Sequence, residues 1–327
     1  MAVRSTLLVV IAGCSGPSTS DAAGSAWRSG PPIPARRLEP GVAVLDARVI
    51  VAGGFDTTVT EGLDITTRVD VLDTVSETWL DPLPSLPVAW THMNLAGANG
   101  TLYLLGGLET SQYTARGDAW ALDAGATAWR PLAPLPAGLE RGASGVVATT
   151  THIYLLGGAS TTDALATCLD YDIAANNWSE LPALPAPRSH PAAMIASDGT
   201  LIAAAGLHTL DATQPYADVW SLPQGAAAWL PRGATLDHAR GGCAYAVLGG
   251  SLMCVAGEAA QSALHFVDRY DPARDAWTPL EPLPVNRAGT QGAAIGNRFY
   301  LPGGAPAYVL IPTDTLYIFT AESARAR

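Results

Sequence analysis

The chain has 327 residues, of which 48% are hydrophobic, so it can bury a sizeable core. Its net charge is −11, and all 18 of its basic residues are arginine. This balance argues against nucleic acid as a partner, because phosphate binding needs a net positive surface.

The N-terminal segment is typical of an exported bacterial lipoprotein. A basic start precedes a short apolar run, which ends in the sequence Ile11-Ala-Gly-Cys14. The run is far shorter than the roughly 20 residues that span a bilayer, but it suits a signal peptide over residues 1–13. Its end resembles a lipobox, which predicts lipidation of Cys14, a flexible tether over residues 14–26 and a location in the cell envelope, at the outer membrane or cell surface. The alternatives are an ordinary cleaved signal peptide and a frayed start of the chain.

A repeat of about fifty residues runs through the rest of the chain. Its first mark is a recurrent tryptophan, found at Trp27, Trp79, Trp129, Trp178, Trp229 and Trp277. Its second mark is a strand-like run that ends in two small residues: Gly53-Gly54, Gly106-Gly107, Gly157-Gly158, Ala205-Gly206, Ala256-Gly257 and Gly303-Gly304. We expect glycine there because the backbone must turn close to a neighbouring segment. The period indicates six copies of one supersecondary unit.

Each copy contains four short segments that are typical of β-strands. In the second unit these are residues 94–98, 102–105, 119–122 and 128–131, bounded by turn-forming residues. Four strands in each of six units predict an all-β, six-bladed β-propeller over residues 27–320, followed by a short tail at 321–327. The last unit lacks its tryptophan, so we expect the strand at Trp27 to complete the final blade and close the ring. Each tryptophan should pack against the next blade.

These features together resemble the kelch repeat. The glycine pairs, the spaced tryptophans and Leu-Pro elements such as Leu135-Pro136 all fit it, while the fourth unit departs with Ala205-Gly206 and with Pro223 in place of aspartate. The resemblance is specific for the fold and weak for function. It implies a binding face where the loops between blades meet the loops after the glycine pairs.

The loops between blades carry a recurrent arginine, which supplies the candidate ligand-binding residues. It is found at Arg37, Arg141, Arg188, Arg240 and Arg287. If symmetry brings these side chains to one mouth, their guanidiniums would bind an anionic protein segment or glycan. In the alternative, each arginine pairs with a local carboxylate or carbonyl group and stiffens its blade.

The second unit breaks the arginine series with Trp90-Thr-His92. At the mouth, Trp90 would stack on a sugar or on a proline of a bound peptide, and His92 would lie beside it. In the alternative, Trp90 only fills the gap left by the absent arginine.

Signals for catalysis are weak. Neither a nucleotide fingerprint nor a metal-binding histidine spacing is present, so we expect no cofactor and no metal.

The preferred interpretation is a monomeric binding or scaffold module that meets the membrane only through Cys14. One alternative is a sugar mutarotase, by resemblance to a six-bladed kelch enzyme that acts on sialic acid; Glu140 beside Arg141 and His190 near Arg188 would serve it. A passive spacer is the other alternative.

Three cysteines follow the N-terminal one. Cys168 is most simply a small buried apolar residue. Cys243 and Cys254 flank a two-glycine turn in one hairpin. If the two glycines are the central turn residues, the two sulfurs lie diagonally, a longer reach than a disulfide favours, whereas a shifted turn would place them opposite each other. The sequence therefore leaves this disulfide open.

Overall fold

The strand that ends at each glycine pair is an apolar run buried on both faces. In the computed structural model, which describes residues 24–56, 64–109, 112–308 and 310–322, Val49 to Ala52 of the first such strand have no exposed surface. The core is divided among the interfaces between neighbouring blades, where for example Ile50 packs in one cluster with Leu95 and Leu104. Short apolar strands therefore stack blade against blade.

Within the described residues, the strands form six blades, each with four antiparallel strands. Blades 1 to 3 consist of Gly41–Leu45, Arg48–Ala52, Val69–Asp73 and Thr78–Trp79; of Leu95–Ala98, Thr101–Glu109, Thr114–Leu122 and Arg130–Pro131; and of Gly145–Ala148, His152–Leu156, Cys168–Asp172 and Asn177–Leu181. Blades 4 to 6 consist of Ala192–Ile195, Leu201–Ala204, Val219–Leu222 and Leu230–Pro231; of Ala244–Leu248, Ser251–Val255, Val267–Asp271 and Ala276–Pro279; and of Ala293–Ile295, Arg298–Pro302, Leu316–Thr320 and Trp27–Ser29.

Three smaller features complete this architecture. Trp90–Thr91 adds a fifth strand to blade 2 by pairing with the end of Thr101–Glu109. Two short hairpins lie after the glycine pairs of blades 1 and 5, and they consist of Phe55–Asp56 with Asp64–Ile65, and of Glu258–Ala259 with Ser262–Ala263. The all-β, six-bladed propeller predicted from the sequence is confirmed.

The ring closes as the sequence predicted. Trp27–Ser29 pairs antiparallel with Leu316–Thr320, so the first strand of the propeller is the outermost strand of blade 6. The two ends of the propeller thus share one sheet, and neither is left as an open edge.

The glycine pairs lie where backbones approach each other closely. Gly106 has a φ of +78°, and a Cβ added there would lie 2.7 Å from the carbonyl oxygen of Arg141. The turn nevertheless accepts alanine in two blades, since Ala205 and Ala256 adopt φ values of 58° and 56°. In blade 2 the strand does not end at the pair but continues to Glu109, with an irregularity in register between Leu105 and Gly107.

The recurrent tryptophans join each blade to the segment that leaves the preceding one. Five indole N–H groups donate to a backbone carbonyl oxygen there, at distances between 2.8 and 3.1 Å: Trp27 to Glu281, Trp79 to Pro31, Trp129 to Pro84, Trp178 to Ala133 and Trp229 to Pro182. The Trp277 indole N–H is buried and meets no acceptor among the described residues. Its neighbour is the fourth unit, whose Leu-Pro element is degenerate.

Cys243 and Cys254 form a disulfide, with their Cα atoms 5.4 Å apart. The hairpin has the register with the two glycines at the turn, because Tyr245 pairs with Cys254 and Leu248 with Ser251. The diagonal arrangement therefore permits the bond that the sequence left open. Cys168 is free and fully buried, as expected.

The predictions for the N-terminal segment fall largely outside the described residues. The signal peptide, Cys14 and the tether up to residue 23 all lie there, and so does most of the C-terminal tail. None of the residues that the structure describes forms a helix long and apolar enough to span a membrane.

Candidate functional site

The five recurrent arginines are buried inside the blades. Four of them have no exposed surface and Arg287 is 2% exposed. Arg37, Arg188 and Arg240 pair with carboxylates on the third strand of the following blade or just before it, at 2.8 Å from Asp70, 3.0 Å from Asp218 and 2.6 Å from Asp268. Arg141 and Arg287 instead donate to Thr167 and Thr313 at 2.7 and 2.8 Å.

Most of these guanidiniums also hold the carbonyl groups of the glycine-pair turns. Arg141 donates to the carbonyl oxygen of Gly157 at 3.1 Å, and Arg188 donates to that of Ala205 at 2.9 Å. Burial lowers the pKa of Arg141 to about 10, so the guanidinium still carries its charge at neutral pH. The alternative in which each arginine stiffens its own blade accounts for these contacts.

Blade 2 replaces this charged pair by an aromatic pair. Trp90 stands at the arginine position and Trp120 at the position of Asp70, and their ring centroids lie 5.3 Å apart. Trp90 is 1% exposed and packs in the core between blades 1 and 2. It fills the gap left by the absent arginine and presents no face for stacking on a ligand.

The expected ring of exposed arginines around a mouth is therefore absent from the described residues. A buried guanidinium stays in its blade because moving it would break an ion pair or several hydrogen bonds at once. Without a ring of exposed arginines, there is no basis for expecting an anionic ligand at the mouth. Of the predicted ligand-binding residues, the structure brings His92 to the mouth and leaves Trp90 and the five arginines behind its wall.

A different set of residues surrounds the propeller axis, two positions after each arginine or Trp90. We call it the inner ring, and it consists of Glu39, His92, Ala143, His190, Gly242 and Gly289. All six have a positive φ between 49° and 67°. Five backbone hydrogen bonds connect them in order around the axis, from Gly289 through Glu39, His92, Ala143 and His190 to Gly242, with lengths between 2.7 and 3.2 Å. The inner ring is a rigid base for the mouth.

Three polar side chains of the inner ring converge. The Nε2 atom of His92 lies 3.3 Å from Oε2 of Glu39, and the rings of His92 and His190 have centroids 5.2 Å apart. One ligand atom from each of Glu39, His92 and His190 lies within 4.8 Å of the others. Tyr113 packs edge-on against His92. Imidazole and carboxylate groups in this arrangement can bind a metal ion or exchange protons.

A cavity of about 310 Å³ lies above these side chains, and every blade contributes to its lining. Its apolar lining includes Leu108, Tyr113 and Ala159, together with the more exposed Leu210, Tyr308 and Leu310, which we call the rim. Leu210 and Tyr308 are both 38% exposed and Leu310 is 52% exposed, although large apolar side chains usually bury more of their surface. The cavity therefore combines an apolar rim with a polar base.

Burial keeps the base of the cavity largely uncharged. It raises the pKa of Glu39 to about 7 and, with the nearby charge of Glu39, that of Glu258 to about 8. Burial lowers the pKa of His92 to about 4 and that of His190, beside it, to about 3. At neutral pH both imidazoles are neutral and Glu258 is mostly protonated.

Tyr245 forms the floor beneath the cavity. Its hydroxyl reaches from the inner strand of blade 5 to that of blade 3, where it accepts a hydrogen bond from the Val146 N–H at 2.5 Å. It also lines the opening on the opposite face of the propeller. Tyr245 therefore narrows the axis between the cavity and the opposite opening.

Glu39 and Glu258 were not among the residues predicted from the sequence. Glu39 carries a usable signal, because it occupies the inner-ring position, two residues after the recurrent arginine, that His92 and His190 also occupy. Glu258 follows the Ala256-Gly257 pair, where the other blades place apolar residues. The residues predicted for the alternative function, a sugar mutarotase, are also not brought together. Arg141 and Arg188 are engaged inside their blades, and of the predicted residues only His190 lines the cavity.

Comparisons with known proteins agree with this architecture. A kelch motif matches residues 239–284. The chain is 26% identical over 318 residues to the Kelch-like protein terF of Aspergillus terreus, in a match that covers 91% of this chain and 69% of that protein. It is 36% identical over 76 residues to Kelch-like protein 15 of Gallus gallus, which covers 23% of this chain and 15% of that protein. A third match, to human Kelch-like protein 35, is 28% identical over 136 residues and covers 41% of this chain and 22% of that protein.

The chain thus spans most of its fungal relative but only a small part of the vertebrate ones. The kelch motif at residues 239–284 covers all four strands of blade 5. The protein is a six-bladed β-propeller that carries a kelch motif and is similar to kelch-like proteins.

Proposed function

We propose that the chain is an exported binding module that takes an apolar side chain of a protein segment into the cavity at its mouth. One observation carries the proposal, namely the exposed apolar rim of Leu210, Tyr308 and Leu310 around that cavity. Exposed apolar groups that border a concave site are typical of interaction surfaces. The kelch propeller, a fold that generally binds protein partners, supports the same conclusion.

The charge of the base determines which ligands fit. With the guanidiniums engaged inside the blades, the ionisable groups at the base are Glu39, Glu258, His92 and His190. A bound carboxylate would lie against Glu39 and would meet no exposed guanidinium of the recurrent series. We therefore revise the anionic ligand expected from the sequence to an uncharged or cationic segment, with a neutral glycan as the second ligand class.

Export is the second part of the proposal. A disulfide is stable in an oxidising compartment, and the Cys243–Cys254 bond supports a location outside the cytoplasm. Lipidation of Cys14 and anchoring in the cell envelope are proposals from the sequence. Mass spectrometry of the mature N-terminus tests them: a diacylglycerol-modified Cys14 supports the anchor, and an unmodified N-terminus at another residue contradicts it.

A peptide selection tests the binding proposal without a known partner. Peptides selected from a random displayed library against the wild-type propeller should share an apolar anchor residue. Leu310→Asp should weaken their binding at least tenfold, because a charged group would enter the apolar rim; tenfold equals about 1.4 kcal/mol. Val75→Asp is the matched control, since Val75 is 85% exposed in a turn of blade 1. Selected peptides that bind the Leu310→Asp variant as tightly as the wild type would contradict the proposal.

A sugar isomerase or mutarotase is the second candidate function. The observation that favours it is Glu39, a carboxyl group with a pKa of about 7 at the base of a cavity, which suits a general acid or base at neutral pH. Exchange spectroscopy by NMR on a panel of neutral and acidic sugars tests this function. Faster anomer exchange with the wild type, and not with Glu39→Gln, would support it; unchanged exchange over the panel would contradict it.

A further inference from the structure

The three converging side chains of the inner ring come from equivalent positions of three different repeats. Glu39 belongs to the segment that leads into blade 1, His92 to that of blade 2 and His190 to that of blade 4. In the three other blades the same position holds Ala143, Gly242 and Gly289. Coordinating groups therefore appear at half of six equivalent positions, and their ligand atoms lie within 4.8 Å of one another.

The backbone at these positions favours glycine. His92 and His190 have φ values of 49° and 53°, in the left-handed region where a side chain is strained. Gly242 and Gly289 satisfy the same geometry at no steric cost, with φ values of 59° and 67°. Two bulky imidazoles thus occupy positions that the fold would fill more easily with glycine, which is typical of residues kept for a function.

Both histidines are oriented in the same way by the residue before them. The Nδ1 atom of His92 lies 2.9 Å from the hydroxyl of Thr91, and that of His190 lies 3.1 Å from the hydroxyl of Ser189. The Thr91 hydroxyl also lies 3.4 Å from the carbonyl oxygen of Leu108. When it donates there, it accepts from Nδ1–H of His92, which leaves the free electron pair on Nε2.

Hydroxyl residues precede the inner-ring residue only in these two repeats. In the other four that position is held by Leu38, Gly142, Gly241 and Ala288. The hydroxyl and the imidazole therefore occur together, twice, on blades that are not neighbours in the ring. A hydrogen-bonded Nδ1–H behind a free Nε2 is the usual arrangement of a metal-binding histidine.

We propose that Glu39, His92 and His190 bind a divalent transition-metal ion, with Zn²⁺ as the first candidate. Two ligand atoms about 2.0–2.2 Å from a tetrahedral zinc ion lie about 3.3 Å apart, and the 3.3 Å between Nε2 of His92 and Oε2 of Glu39 matches this separation. Two imidazole nitrogens and one carboxylate oxygen are a donor set that zinc accepts with its fourth position open.

The open position would face the cavity. Water or a donor atom of a bound ligand would occupy it, within a space of about 310 Å³ bordered by Tyr113 and Tyr308. Metal binding needs only the inner ring and does not depend on the proposed capture of a protein segment at the rim. The two proposals can therefore fail separately.

Calorimetric titration of metal-free, tag-free protein with Zn²⁺ tests the site. We expect one equivalent to bind and the melting temperature to rise with metal concentration. His92→Gly and His190→Gly should each lower the affinity at least tenfold while the protein stays folded, because glycine already occupies the equivalent position in two blades. His152→Ala is the matched control, since His152 also lies 2.8 Å from a carboxylate, that of Asp170, but belongs to the second strand of blade 3.

A second measurement separates metal ligation from a merely structural role. Co²⁺ bound by two imidazoles and a carboxylate should give visible absorption bands that the His92→Gly and His190→Gly variants lose and that His152→Ala keeps. Ser189→Ala should lower the Zn²⁺ affinity about 10- to 100-fold with little change in folding, because it releases the Nδ1 contact of His190. No binding of Zn²⁺ by the wild type, or equal binding by the two glycine variants and the wild type, would overturn the proposal.

Discussion

Trp27 lies opposite Phe319 across the last two strands of blade 6, with the two ring centroids 5.2 Å apart. Trp27 is 2% exposed and Phe319 is 5% exposed, and both pack in the cluster between blades 5 and 6. The first strand of the propeller is therefore attached to its last strand by side-chain packing as well as by backbone hydrogen bonds.

Trp27→Ala should destabilise the propeller by about 3–5 kcal/mol, because it leaves a cavity at the closure of the ring. Urea unfolding monitored by circular dichroism measures the loss. Val75→Ala, at a residue that is 85% exposed, should change stability by less than about 0.5 kcal/mol. A loss below about 1 kcal/mol for Trp27→Ala would show that closure contributes little to the stability of the ring.

The tryptophan hydrogen bonds predict a difference between two otherwise similar substitutions. Trp178→Phe removes an indole N–H that donates to Ala133 at 3.0 Å, whereas Trp277→Phe removes a buried N–H without an acceptor among the described residues. Both variants lose similar ring volume. The first should therefore be more destabilising by about 1–2 kcal/mol, measured by urea unfolding. Equal losses would indicate that the indole hydrogen bonds contribute nothing net.

The buried ion pairs predict that removing one partner costs more than removing both. Asp268→Ala leaves the fully buried charge of Arg240 unpaired and should cost about 3–5 kcal/mol. The double variant Arg240→Met with Asp268→Leu should be clearly less destabilised, as the apolar pair in blade 2 suggests. Arg274→Ala is the control, because this arginine pairs at the surface and is 81% exposed. Thermal and urea unfolding of all three variants check the order, and a double variant no better than the single one would contradict it.

Reduction of the Cys243–Cys254 bond should destabilise the protein by about 2–3 kcal/mol, since the bond closes a short loop with a sequence separation of 11. Melting with and without a reductant measures the change. The Cys243→Ser, Cys254→Ser double variant should melt at the temperature of the reduced wild type and should not respond to the reductant. A reductant-sensitive double variant would assign the effect to another group.

Stability of the metal-free protein should depend on pH through the base of the cavity. Burial raises the pKa values of Glu39 and Glu258 to about 7 and 8, so their contribution is present below about pH 4.5 and is lost as pH rises to 8. Burial lowers the pKa values of His92 and His190, so their contribution is present above about pH 6.5 and is lost toward pH 4 and below. Between pH 4.5 and 6.5, a rise in pH therefore lowers stability through the two carboxyl groups and raises it through the two histidines.

Between pH 6.5 and 8 the carboxyl contribution changes more than that of the histidines, so stability should fall there, by about 1–2 kcal/mol. Glu258→Gln should flatten this decline because glutamine stays neutral. Asp271→Asn, at the end of the third strand of blade 5, is the control, and this variant should keep the decline in stability. Urea unfolding at half-unit steps of pH checks the slope, and a wild type that is equally stable at pH 6.5 and 8 would contradict the prediction.

Repetition made the fold predictable. The glycine pairs, the spaced tryptophans and the short apolar runs are local features, and the structure places each where the repeat predicts it. Ring closure was also predictable, because a last unit without its tryptophan and a first strand with a spare one are complementary. The sequence did not predict that Trp178 points toward the preceding blade. It points there because its indole N–H donates to the carbonyl oxygen of Ala133.

The site was predictable only in part. His92 was identified as a mouth residue because it breaks a pattern, and it does line the cavity. The arginines were interpreted in two ways because sequence does not show rotamers. Their burial follows from acceptors such as Asp70 and Asp268, which lie about thirty residues further along the chain and become neighbours only when the blade forms.

The sequence by itself determined the number of blades and the order of their strands. Only the tertiary structure decided which positions face the axis and which side chains meet there. Glu39 and His190 are separated by about 150 residues, and no spacing along the chain relates them to a metal site. They converge because a closed ring brings equivalent positions of distant repeats to one axis, where burial then determines their charge.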